Sequence, residues 1–223
     1  MAQAGIHAMV GMFVRKWAPE RTWLMTGLVL GSLIPDLDNL AVAAATIAKR
    51  SPLGLHRTAT HSLLFAAAIV MVFILVSIAI RQPRWSYLGW GLGLGVLAHI
   101  LVDVFLWFAG LRYLWPLPAW INLWEKVTPP EWFMRLMNPL ELLFFALFFF
   151  SLAALARQRK TDGDYLKTLW VLTAIEAVLF VIFTVLEFTA GKIVGTIFGA
   201  VYLLSLFLAI GVTIRMRRTI EAV

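Results

Sequence analysis

Six apolar runs, at residues 24–47, 62–80, 86–109, 139–156, 166–190 and 192–214, dictate what this chain can fold into. A helix needs about 20 apolar residues to cross the hydrocarbon of a bilayer. In that medium the backbone has no water to bond, so such runs become helices. With 61% hydrophobic residues, 14% charged and a mean hydropathy of +0.87, the chain has more apolar surface than one soluble core of 223 residues hides. The expected fold is an all-α, polytopic transmembrane bundle of about six spans.

The first run is interrupted by Pro35, Asp36 and Asp38. Proline has no amide proton and disfavours helix at the residue before it, so the first span is expected to break about halfway across. The aspartates within this run, and the lack of a small-residue cleavage pattern after a short apolar core, argue against a cleavable signal peptide. Span 24–47 is therefore expected to be retained.

A net charge of +7 raises the question of nucleic acid, but the cations flank the spans instead of forming one polar face. Of 19 Lys and Arg residues, twelve fall on one side of the expected topology: Arg15, Lys16, Arg21, Arg81, Arg84, Arg157, Arg159, Lys160, Lys167, Arg215, Arg217 and Arg218. The positive-inside bias then puts both termini in the cytoplasm of a multi-pass plasma or inner membrane protein. No nucleic-acid partner is expected; membrane lipid is.

Residues 1–155 read as one membrane domain and 156–223 as an added helical pair. Within the first, 111–138 carries Trp115, Trp120, Trp124 and Trp132 with Pro116, Pro118, Pro129 and Pro130, a composition of the membrane–water interface. Glycines at small-xxx-small spacing mark close helix contacts: Gly27 with Gly31, Gly91 with Gly95, and Gly191, Gly195 and Gly199.

All four histidines and three of the five aspartates fall within the first 103 residues, most in or beside apolar spans. An ionisable group in lipid costs roughly 2.5–3.5 kcal/mol on insertion scales, so such a concentration needs a partner. A divalent metal is the simplest one. His99 and Asp103, four apart, share a helix face that continues the Gly91–Gly95 stripe. Asp36 and Asp38 stand at the break, where irregular backbone lines a cavity or site; alternatively Asp38 caps a half-helix beginning near Leu40. His56 and His61, five apart, do not align on one helix, which places His56 in a loop and His61 at the start of the second span, with Thr60 or Ser62 near its cap. Arg57 offers planar donors for a phosphate or carboxylate. His7 is the isolated member of the set. Four imidazoles and three carboxylates suffice for one or two divalent ions, and because the chain has no cysteine, the donors are nitrogen and oxygen only. That set suits zinc first, with manganese or iron as alternatives.

In this order, His7, Gly31-xxx-Pro35-Asp36-Leu37-Asp38, His56-Arg57-xxx-His61-Ser62-Leu63 and His99-xxx-Asp103 resemble the YdjM-like, LexA-regulated family of bacterial and archaeal membrane-bound metal-dependent hydrolases. The resemblance spans roughly residues 1–155. Through that family it extends distantly to zinc-dependent phospholipase C and the S1/P1 nucleases. It implies a metal-ligand pair in His99 and Asp103, a bridging ligand or base in Asp36 or Asp38, and a further ligand in His56 or His61. No histidine follows His99, so the later ligands of the trinuclear enzymes are missing and one or two ions are expected.

The expected activity is hydrolysis of a phosphoester, a lipid one in the first instance, with Asp36 or Asp38 orienting or deprotonating water and Arg57 stabilising phosphoryl charge. Two other functions fit the same residues. A proton- or metal-coupled transporter would use the intramembrane His and Asp groups together with Glu176. A membrane scaffold would hold a structural metal.

Overall fold

The computed structural model describes residues 4–14, 19–190 and 193–222. Arg15, Lys16 and Gly191 lie outside the described residues. Among those described, the chain is helical apart from loops and one isolated antiparallel bridge between Leu111 and Ile121. Six segments are long and apolar enough to cross a membrane: Leu24–Ile47, Leu63–Ile80, Arg84–Leu106, Glu131–Arg159, Gly163–Thr189 and Gly195–Arg215. The protein is an all-α, multi-pass membrane protein. It divides into two compact units, residues 10–128 and residues 1–9 with 129–223, and the first helix, α1 (Ala4–Phe13), is shared between them.

In the unit 10–128, α2 (Leu24–Leu33) runs into a tight 3-10 turn over Ile34–Asp38 and resumes as α3 (Asn39–Ile47). Pro35 supplies the break, and the Asn39 side-chain amide donates to Asp36 O at 2.9 Å across the turn. The helix thus narrows to a 3-10 turn at Pro35 and continues beyond it. Asp38 occupies the position before α3, yet its side chain makes no capping bond. Its carboxylate is committed elsewhere.

The helices α4 (Leu63–Ile80) and α5 (Arg84–Leu106) form an antiparallel hairpin. Ser62 starts α4 by accepting Phe65 N–H on its hydroxyl at 3.1 Å. Glycines at 89, 91, 93 and 95 let α5 approach two neighbours. A Cβ at Gly91 or Gly95 would lie 2.2 Å from Leu24 O or 2.3 Å from Leu28 O, and one at Gly31 would lie 2.1 Å from Leu92 O. The Gly27–Gly31 and Gly91–Gly95 stripes therefore meet each other. Gly89 and Gly93 face α4 instead, where an added Cβ would strike Phe73 and Val70 side chains at 2.4 and 2.3 Å. Ala66, Val96, Ile100 and Leu111 form a small buried core in this unit.

The tryptophan-rich stretch 111–138 divides in two. Residues up to 128 form a loop that bonds back onto the site, described below. Residues from Glu131 onward are the start of α6 (Glu131–Arg159), which begins after Pro129-Pro130 and passes through Pro139 without ending. The fourth span is accordingly longer than the apolar run from 139.

In the other unit α6 packs against α7 (Leu166–Thr189), α8 (Ile193–Arg215) and the short α9 (Arg217–Glu221). Phe145, Phe148, Phe149 and Leu152 are buried there. Asp162 ties the end of the unit together: its carboxylate accepts Thr219 N–H at 3.2 Å and meets Arg215 at 3.2 Å. Glu141 on α6 accepts Gly5 N–H at 2.8 Å, satisfying a donor in the first turn of α1. The expected close contact at Gly195 and Gly199 is not found among the described residues, none of which lies within 4 Å of a Cβ at either position.

Candidate metal centre

Three neighbouring elements converge in the unit 10–128. The 3-10 turn after α2 carries Asp36 and Asp38, a second 3-10 turn over Ala59–His61 carries His61, and the last two turns of α5 carry His99 and Asp103. Close α2–α5 packing puts the first and third side by side. Ser32, the residue after Gly31, turns its carbonyl onto His99, whose Nδ1–H donates to it at 2.8 Å. The opposite nitrogen, Nε2, is then 3.8 Å from Asp36 Oδ1 and 3.6 Å from Asp103 Oδ2.

His61 is held in the same sense. Its Nδ1 lies 3.2 Å from Asp38 Oδ2, and its Nε2 lies 3.7 Å from both Asp36 Oδ1 and Asp103 Oδ2. These last distances exceed hydrogen-bond length, and His61 Nε2 is buried without a hydrogen-bond partner. Donors about 2.0–2.2 Å from one tetrahedral ion stand about 3.3–3.6 Å apart. The four His–Asp edges, from His61 and His99 to Asp36 and Asp103, are 3.6–3.8 Å and come close to that. Asp36, His61 and His99 are completely buried and Asp103 is 4% exposed. Asp36, His61 and His99 lie close enough together to hold a metal ion.

Asp38 supports the cluster from behind. Its Oδ1 accepts from His56 Nδ1 at 2.6 Å, and its Oδ2 accepts from Thr60 Oγ1 at 2.9 Å and from the Arg57 amide at 3.2 Å. A carboxylate that fixes the far nitrogen of an imidazole sets its tautomer and raises its basicity toward a metal. Asp38, His56 and His61 also lie close enough to form a ligand group of their own. His61 would then have to use Nδ1, the nitrogen already directed at Asp38.

Electrostatics distinguish the two loop histidines. For His61 burial opposes protonation, but the carboxylates of Asp36, Asp38 and Asp103 outweigh it and raise its pKa to about 9. For His56 burial dominates and lowers the pKa despite the Asp38 partner.

Arg57 has a positive φ of 61°, a strained conformation for an arginine, within the loop that its amide bond to Asp38 helps to hold. Its guanidinium lies 3.6 Å from Asp103 Oδ1, donates to Ala109 O at 3.2 Å, and stacks 4.6 Å from the centre of the Trp107 ring. Its carbonyl accepts Arg112 N–H at 3.0 Å, and Leu63 N–H donates to Tyr113 O at 2.9 Å. The loop after α5 is thereby laced over the site. His7 is buried on α1 in the other unit, with residues 129–223.

The model of the YdjM inner membrane protein family matches residues 1–215. The chain belongs to that family. The YdjM match passes residue 155 and takes in the last two spans, beyond the reach of the motifs that suggested it. No curated protein and no solved structure matches the chain.

Several participants in this YdjM-family site carried no sequence signal of their own. Thr60 bridges Asp38 and His61, Trp107 backs Arg57, and Ser32 acts through its carbonyl. The nearest clue was the position of Ser32 directly after a glycine that brings two helices into backbone contact.

Proposed function

We propose that this YdjM-family protein is an integral-membrane, metal-dependent hydrolase that cleaves a phosphoester, most economically that of a membrane lipid. The reading is carried by one observation: two imidazoles, each with its far nitrogen fixed, present Nε2 toward two buried carboxylates at 3.6–3.8 Å. Asp36, His61, His99 and Asp103 would hold a single divalent ion, zinc foremost, with manganese or iron as the alternatives. When bound, such an ion supplies Lewis acidity and lets a water ionise near neutral pH.

The chain's own residues do the rest. Asp36 orients the attacking water or takes its proton. Arg57, anchored by Ala109 O and Trp107, offers its guanidinium to the phosphoryl oxygens where charge grows. Asp38 and Ser32 keep the two imidazoles in register. Since the four donors are 0–4% exposed, hydrolysis requires the site to open to substrate.

One observation favours a second reading. Four protein donors fill a tetrahedral ion, which is the mark of a structural site, whereas a catalytic one keeps a position open. Hydrolysis therefore requires an expanded coordination number or release of one carboxylate. Elemental analysis of the purified protein, with a screen of phosphoesters and lipids, separates the two. A hydrolase loses metal and turnover together in His99→Ala, while a scaffold shows bound metal and no turnover in any arm.

The proposed orientation has both termini in the cytoplasm and the 48–62 loop outside. Ser51 is exposed in that loop. Ser51→Cys should react with an impermeant thiol reagent in intact cells, and protection until lysis would reverse the topology.

A further inference from the structure

The bridge between Leu111 and Ile121 decides where Arg112 goes. Leu111 is buried in the core of its unit and Ile121 packs against that core, the two exchanging both backbone hydrogen bonds at 3.0 Å. Successive side chains of an extended segment face opposite ways, so the next pair, Arg112 and Trp120, turns away from the core. There the Arg112 guanidinium lies over the Trp120 ring, 4.9 Å from its centre.

The backbone at Arg112 is pinned to the site. Its N–H donates to Arg57 O at 3.0 Å, and the carbonyl of the following residue, Tyr113, accepts Leu63 N–H at 2.9 Å. Arg112 is thus joined directly to Arg57, whose guanidinium meets Asp103 at 3.6 Å. The two arginines differ in what they face. Arg57 is buried and paired with a carboxylate. Arg112 is half-buried, its Nε is enclosed without a hydrogen-bond partner, and no ion pair to it is found among the described residues. An enclosed donor is costly to leave unmade, and the planar fork of arginine matches two oxygens of a phosphate at once. A guanidinium with a fixed stem, an aromatic floor and no anion of its own is built to take one from outside.

We propose that Arg112 binds a second phosphate of the substrate, so that the site acts on lipids whose headgroup bears an anionic group beyond the scissile phosphoester. Arg57 serves the scissile group and Arg112, its backbone neighbour, the other. The choice of substrate rests on the hydrolase reading above, whereas the anion site does not. Arg84 provides the comparison. It stacks on Trp23 at 4.7 Å in the same manner, but about 28 Å of α5 separates it from Asp103.

Binding is to be read by native mass spectrometry of the detergent-purified protein, titrated with dioctanoyl phosphatidylglycerol or dioctanoyl phosphatidylglycerol phosphate, which differ by one phosphate. The parent protein should hold the second lipid at least about tenfold more tightly. Arg112→Gln should remove most of that preference, and Arg84→Gln should keep it. Where the second lipid is cleaved, Arg112→Gln should raise its KM with little change in kcat, as expected for a contact made equally in the ground and transition states. Should Arg112→Gln fail to fold, phenylglyoxal modification of the parent protein decides. Phosphatidylglycerol phosphate should then protect Arg112 and phosphatidylglycerol should not; equal modification with either lipid would overturn the site. No preference in the parent protein, or equal losses in Arg112→Gln and Arg84→Gln, would overturn it as well and leave both arginines as interfacial cations. A preference that stands while neither lipid is cleaved would support the anion site and count against the hydrolase reading alone.

Discussion

His61 points its Nδ1 at Asp38 Oδ2, 3.2 Å away, and this turns the other nitrogen of the ring toward Asp36 and Asp103 at 3.7 Å. One aspartate of the Pro35 turn thus faces the proposed metal position and the other backs His61 from the opposite side of its ring. Two carboxylates separated by a single residue take different tasks because the 3-10 turn projects them on either side of His61.

That division predicts unequal mutants. Asp36→Asn removes a donor from the cluster and should abolish bound metal. Asp38→Asn keeps the shape and the bond to Thr60 but loses the charge that orients His61, so affinity should fall about 10–100-fold while a metal-bound state remains reachable. Metal titration of the two purified variants decides this, and identical affinities would show that Asp38 is a ligand in its own right.

Protons compete with metal at His61. Its pKa of about 9 in the metal-free protein means that the ring is protonated at neutral pH. Metal affinity should therefore rise about tenfold per pH unit up to about pH 9, where an ordinary histidine would level off near 6.5. In the metal-free protein the sign is opposite. A raised folded-state pKa stabilises fully below about 6.5, and that contribution is lost as pH rises through about 9. Thermal unfolding of chelator-treated protein should thus occur at lower temperature at pH 9.5 than at pH 6.5, and a flat profile would remove the carboxylates from around the ring.

The helical part of this site was open to sequence reasoning. A four-residue spacing joined His99 to Asp103, and the glycine spacing led from α5 to its neighbour, because both follow from the helix period alone. What the loops do was not. Asp38 could be read as a helix cap until its carboxylate was seen turned back to His56, Thr60 and the Arg57 amide. Thr60 and Trp107 act through chain reversals that have no period. Gly195 and Gly199 show the converse limit, since the spacing permits a close approach without specifying a partner.

Gly31 ties packing to chemistry. A Cβ there would lie 2.1 Å from Leu92 O, a backbone atom that cannot swing aside, so Gly31→Ala must push α2 from α5. The Ser32 carbonyl that holds His99 moves with it. Overpacking of this kind costs about 1–3 kcal/mol, and metal affinity should drop in parallel with the unfolding temperature. Gly199→Ala, where a Cβ meets none of the described residues within 4 Å, should leave both within error. A Gly31→Ala protein with normal stability and weak metal binding would also be informative, as it would isolate the Ser32 link.

Arg57 separates binding of metal from handling of substrate. Its planar guanidinium meets Asp103, donates to Ala109 O and sits over the Trp107 ring at once, and a lysine ammonium can reproduce one of these contacts at a time. None of the four proposed ligands is altered by Arg57→Lys, so metal content should stay near that of the parent protein. Phosphoester turnover should fall about 10²–10³-fold, the range for loss of one preorganised donor to a developing oxyanion. Arg57→Gly tests the backbone apart from the side chain, because glycine adopts a φ of 61° without strain. It should lose turnover to a similar degree while keeping the loop in place, as judged by retained metal affinity. If both variants turned over substrate at the parental rate, Arg57 would be a strut for the loop after α5 and the phosphoryl-binding role would pass to another residue.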